Sequence, residues 1–142
     1  MGRSKTGRSL KRKTSKRRER RTIYVFCEGE KSEPDYLRGI KGLGTVRGQV
    51  SLSIVVDSRS GAPKRIVDRA IKKIVDEEID ECWCIFDVEA PQAHPNIENI
   101  IELAAKNGVK IAVSNPCFEL WLVLHHQDCF AYVTTSDIVK AS

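Results

Sequence analysis

Thr22-Ile23-Tyr24-Val25-Phe26-Cys27-Glu28-Gly29-Glu30 decides the fold of this chain. Five apolar residues in a row, rich in β-branched and aromatic side chains, have the pattern of a strand buried on both faces. An acid and a glycine end the run. Ser32 then stands as a helix N-cap, with Pro34 near the start and Glu33 and Asp35 in the first turn, so a helix is expected through about Lys41. Working outward, the motif repeats. Val50 to Val56 reads as a second strand, and Pro63 opens a helix whose stripe of Ile66, Val67, Ala70, Ile71, Ile74 and Val75 faces inward. Glu81 to Phe86 is a third buried strand, ending at Asp87-Val88-Glu89. A helix from Asn96 to Lys106 turns Ile97, Ile100, Ile101, Ala104 and Ala105 inward, and Asn107-Gly108 caps it. Val109 to Val113 is a fourth strand, and Ser114-Asn115-Pro116 leads into an apolar helix through Leu124. The order β-α-β-α-β-α-β-α, with crossovers of this length, predicts an α/β fold: a mostly parallel four-stranded sheet with helices on both faces. Gly42 to Gly48 reads as loop. Its glycines follow a helix and lack phosphate-loop spacing. Beyond His126 the pattern decays, which is the expectation for a truncated C-terminus.

The 142 residues fit one domain and a tail. The net charge of +5 conceals two opposed parts. Residues 1–21 hold eleven Lys or Arg against one acid, while the remainder holds thirteen against eighteen. The tail is too poor in apolar side chains to offset its ordering entropy, so a disordered basic arm is expected over 1–21, with the domain spanning 22–142. Arg12, Lys13, Lys16, Arg17, Arg18, Arg20 and Arg21 in that arm suit nucleic-acid phosphate, a sequence-independent attraction. A merely solubilising tail is the plain alternative. Lys64, Arg65, Arg69, Lys72 and Lys73 occupy largely the outer side of their helix, where a solvated face is the default reading and phosphate contact the alternative. Five cysteines lack the paired spacing of a zinc site and read as buried thiols of a cytoplasmic protein. With no secretory leader and no long apolar stretch, no membrane span is expected.

Chemistry collects at the carboxyl ends of parallel strands. Two strands end in acids, the first at Glu28 and the third at Asp87 and Glu89. Two carboxylates one residue apart, leaving an extended strand, can face one side and share a hard cation such as Mg²⁺ or Mn²⁺. Without a cation such anions repel. Solvated strand-end acids are the alternative. Asn115, Glu119 and His125 are polar groups set in an apolar segment; they border the site or form a buried network.

The motifs resemble a known family. A Glu after the first strand and an Asp-x-acid after the third resemble the Toprim fold. Cys27-Glu28-Gly29-Glu30-Lys31, Glu33-Pro34-Asp35-Tyr36, Trp83-Cys84-Ile85-Phe86-Asp87 and Ser114 through His125 resemble, in order, the marks of the RloB family. Here the third strand ends Asp-x-Glu where the family pattern is Asp-x-Asp, and the longer Glu shifts a ligand oxygen. The resemblance implies a Mg²⁺- or Mn²⁺-dependent nuclease tied to restriction-modification and phage-defence loci. Glu28, Asp87 and Glu89 would hold metal, Glu28 or His125 would serve as acid/base, and Lys31 would offset developing charge. Nucleic acid is the implied partner, and a second copy or another defence protein is left open. A non-catalytic nucleic-acid-binding or sensing module on the same scaffold is the alternative function. A primase-like activity needs a nucleotide-binding subdomain that the length does not supply.

Overall fold

The computed structural model describes residues 21–47, 52–57, 59, 61–77, 79–89, 91–129 and 131–141. Four strands, β1 (Arg21–Cys27), β2 (Leu52–Asp57), β3 (Glu81–Asp87) and β4 (Lys110–Ser114), form one sheet in the order β2-β1-β3-β4. All three pairings are parallel. The intervening helices are α1 (Ser32–Gly42), α2 (Gly44–Arg47), α3 (Pro63–Asp76) and α4 (Ile97–Lys106), with α5 (Phe118–Leu124) and α6 (Thr135–Ala141) after β4. This is the predicted α/β architecture, and the β1 run forms a central strand.

β3 shows why the sheet is two-sided. Cys82, Cys84 and Phe86 alternate into a fully buried layer, while Trp83, Ile85 and Asp87 face the other way and are half-buried. The buried layer packs with Phe26 against Ile66, Val67 and Ala70 of α3 and Ile100 and Ala104 of α4. At about 25 cal/mol per Å² of apolar area removed from water, this layer dominates the stability. Opposite it, α1 and α5 touch each other, and Cys117, Val123 and Ile138 make a small cluster joining α5 to α6.

Several local expectations need correction. The 42–48 stretch contains the one-turn helix α2, and α6 follows where the sequence pattern fades. Val75 is 79% exposed in the last turn of α3, beyond the packed layer, and Ala105 likewise faces outward. Ser32 caps nothing: Lys31 holds the cap position, and the Ser32 hydroxyl instead donates to Glu119 Oε1 at 2.8 Å. Ser32 is already the first helical residue, and its hydroxyl donates a charge-assisted hydrogen bond to the carboxylate. β2 ends one residue late, at Asp57, and its expected start at Val50 lies outside the described residues. The basic arm also lies outside them except for Arg21, which opens β1 and pairs with Glu81. Among the described residues no helix is long and apolar enough to cross a membrane.

Candidate functional site

β1 and β3 are neighbours whose chains depart in opposite directions across the sheet, β1 toward β2 and β3 toward β4. Such a switch point opens a crevice at the carboxyl edge. A cavity of about 440 Å³ lies there, lined by Glu28, Glu30, Lys31, Glu33, Asp87, Glu89 and Glu119 with Gly29 and Ser32. Six carboxyl groups therefore face one ammonium group.

Each acid is placed by a different device. The Glu28 backbone N–H continues the ladder onto Ile85 O at 3.0 Å. Its carboxylate bridges two elements: Oε2 accepts the Asp87 backbone N–H at 2.8 Å, and Oε1 meets His94 Nε2 at 2.8 Å. With Glu28 ionised, the shared proton lies on Nε2. His94 reaches it because its own N–H closes a turn onto Val88 O at 3.0 Å. Glu33 is 4% exposed, its Oε1 accepting the Gly29 N–H at 3.2 Å. A Cβ on Gly29 would sit 2.1 Å from Glu33 Oε2, so only glycine leaves room for that carboxylate. Burial pushes the Glu33 carboxyl above its ordinary range; the Gly29 amide opposes this, and Glu119 and Glu28 add repulsion.

Asp87 is the most perturbed of the cavity's acids. Burial first, then the charges of Glu33, Glu28, Glu119 and Glu89, push its carboxyl up to about 8. Its Oδ1 is buried with no hydrogen-bond partner. Asp57, at the end of the neighbouring strand, shows the opposite solution. It is 7% exposed, yet its carboxyl is held below the ordinary range, foremost by hydrogen bonds from the Arg59 side chain. A strand-end acid in this sheet can thus be fully satisfied. Asp87 is not, and buried polar atoms without partners are uncommon enough to call for a ligand or a function.

Glu89 lines the cavity, but not in the extended geometry expected of it. Its φ is 70°, its N–H bonds Pro116 O at 2.8 Å, and its Oε2 accepts the Thr135 hydroxyl of α6 at 2.8 Å. A left-handed glutamate costs on the order of 1 kcal/mol or more, so the turn is held by its surroundings. Lys31 and Glu119 line the same cavity. Asn115 instead lines an adjoining, largely apolar cavity of about 300 Å³ with Trp121 and Phe118. His125 stands in neither cavity. Its Nδ1 donates to Trp121 O at 2.7 Å, which leaves Nε2 to accept the Tyr36 hydroxyl at 3.5 Å. Sequence reasoning missed Glu33, His94 and Thr135 as members of this cluster.

A hard cation suits the donor set, which is all carboxylate oxygen, and the partnerless Asp87 Oδ1 is an available ligand atom. Among the described residues, however, no group of three His, Cys, Asp or Glu is positioned to hold a metal ion. Glu28 and Glu89 are committed to His94 and Thr135. Binding would therefore require those carboxylates to turn.

The fold and cavity define an open parallel α/β domain with an acidic crevice at its switch point, of the Toprim-like kind. The family model described as RloB-like protein matches residues 23–141, and the chain belongs to that family. No curated protein and no solved structure matches it.

Proposed function

We propose that this protein is a metal-dependent nuclease that cleaves nucleic-acid phosphodiesters, serving in antiphage defence. The observation that carries the reading is Asp87: a half-buried carboxyl with one buried, orphaned oxygen, crowded by four other acids at the switch point. Crowded carboxylates at a crevice are stabilised by a divalent cation more readily than by any folding role.

Asp87 would hold Mg²⁺ or Mn²⁺, joined by Glu89 once it leaves Thr135, while Glu28 keeps its bond to His94 and serves as the acid/base. A metal bound there would polarise a phosphate oxygen and lower the pKa of a water. The chain's own groups do the rest. Glu28 is oriented by the Asp87 N–H and by His94, which suits it to accept or return a proton at Oε1. Lys31 offers its ammonium group to charge developing on the phosphate. Burial raises the Glu33 carboxyl above its ordinary range, so its negative charge is the more weakly held beside Asp87.

Isothermal titration of Mn²⁺ into wild type and Asp87→Asn, beside Mg²⁺-dependent cleavage of labelled DNA and RNA, tests this. Binding and cleavage lost together in the variant, with the fold intact, support it. Cleavage unchanged in Asp87→Asn overturns it. A second reading, a non-catalytic nucleic-acid-binding module, is favoured by the lack of a ready three-ligand set among the described residues. Salt-sensitive binding with no metal uptake would select it.

A further inference from the structure

A second charged cluster stands on the same edge of the sheet. Beyond the end of β2, Arg59 wraps onto Asp57: its backbone N–H donates to Oδ1 at 2.9 Å, and Nε lies 3.0 and 3.1 Å from Oδ1 and Oδ2. The Arg59 side chain nevertheless stays 72% exposed. Arg69 of α3 donates to the Arg59 carbonyl. Arg65 closes the group, since a Cβ placed on Gly61 would lie 3.4 Å from Arg65 Cδ and 3.5 Å from Arg69 Nη1. Three arginine side chains thus come to one turn, with Asp57 as the buried counter-charge of Arg59 and Arg69.

Satisfying Asp57 accounts for Arg59 but does not require Arg65 beside it. Fixing an exposed arginine forfeits up to about 2 kcal/mol of rotamer freedom, and gathering like charges adds repulsion. The amino end of α3, opening at Pro63, adds the positive end of a fourteen-residue helix to the same place. Outside residues 1–21 the chain carries more acids than bases, so this positive spot stands out against its surroundings.

We infer that Arg59, Arg65 and Arg69 form a phosphate grip for the backbone of a nucleic-acid strand crossing the carboxyl edge toward the acidic cavity. The identity of the strand rests on the nuclease reading. Planar guanidinium forks match phosphate oxygens in pairs, and with Arg59 turned onto Asp57 and Arg69 onto the Arg59 carbonyl that grip falls chiefly to Arg65. β2 and β3 lie two strand spacings apart, roughly 10 Å, or about three nucleotide rises along a stacked strand. A strand held at the arginines can therefore present a phosphate at Asp87.

The test is anisotropy of labelled single-stranded and duplex oligonucleotides with the full chain in EDTA, over a salt series. Arg65→Glu should weaken binding roughly tenfold near physiological salt and flatten the slope of log K against log salt by about one. Arg65→Lys should restore most of both. A glutamate in the first turn of α3 agrees with the helix dipole, so the variant is expected to fold. Lys106→Glu, the same charge change at the far end of α4, should leave the slope nearly unchanged. Equal slopes for Arg65→Glu and Lys106→Glu overturn the grip, as does inorganic phosphate displacing the oligonucleotide at a concentration equal to that of its phosphates. Cleavage assays on Asp87→Asn separate the two ideas. Loss of cleavage in Asp87→Asn beside an unaltered Arg65→Glu slope removes the grip alone. The converse pattern removes the nuclease reading alone.

Discussion

Replacing Asp87 by Asn should stabilise the metal-free protein, and the gain should grow with pH. In the unfolded chain this carboxyl titrates at its ordinary value of 3.8, whereas in the fold it is pushed up to about 8. Between those values the native state holds a proton that the unfolded state has released. Stability therefore falls as pH rises through the window, at up to about 1.4 kcal/mol per pH unit. At pH 7 that comes to about 4 kcal/mol, and solvent reaching the half-buried group reduces it to roughly 2 kcal/mol. Asn keeps the shape, carries no charge and removes this penalty. Its amide adds a donor that neighbouring carboxylates can accept. Thermal melts in EDTA should show the variant a few tenths of a kcal/mol above wild type near pH 4.5. By pH 8 it should stand about 3 kcal/mol above, or some 9–15 °C, and the gap should level off above that. Adding Mg²⁺ or Mn²⁺ should reverse the order, because ligand binding raises only the stability of wild type. A variant less stable than wild type at pH 8, or a gap independent of pH, would refute the claim that Asp87 is held under electrostatic strain.

Three further outcomes follow from the same geometry. Gly29→Ala forces Glu33 off its seat and leaves it repelled or unsatisfied, so chemical denaturation should show a loss of about 1–3 kcal/mol; Gly29→Ala combined with Glu33→Ala should lose less than the two single variants added together. His94→Ala removes the hydrogen bond that orients Glu28 Oε1, so cleavage should slow about ten- to a hundredfold with metal affinity within threefold of wild type; His94→Gln should recover part of the rate. Phe86→Ala opens the fully buried layer between the sheet and α3, and equilibrium unfolding should report a cost of about 3–5 kcal/mol.

The sheet was legible because its strands are written as short apolar runs, each closed by an acid or a small polar residue. The same runs marked Glu28 and Asp87, since a carboxylate directly after a buried strand must sit at the sheet's edge. Periodicity does not reach the features that were missed. Glu33 reads as an ordinary first-turn acid of α1, and nothing local shows that Gly29 vacates the space into which its carboxylate folds. His94 lies in a loop, and its approach to Glu28 depends on the turn closed at Val88. Thr135 belongs to a one-to-two-turn polar helix whose position is set by packing of Ile138 on Cys117 and Val123, a contact between distant segments.

The arginine cluster sharpens that distinction between local and assembled signals. On a helical wheel Arg65 and Arg69 of α3 fall among solvated cations, which is how a linear reading takes them. Their convergence with Arg59 depends on Asp57, the one strand-end acid that the fold neutralises. The carboxyl edge thus treats two aspartates in opposite ways: Asp57 orders cations around itself, and Asp87 Oδ1 has no hydrogen-bond partner. A strand of phosphates laid along that edge would meet fixed positive charge first and an unfilled acidic crevice second. A site that holds a polyanion and cleaves it through a bound cation needs that polarity, because the acidic crevice alone would repel the strand.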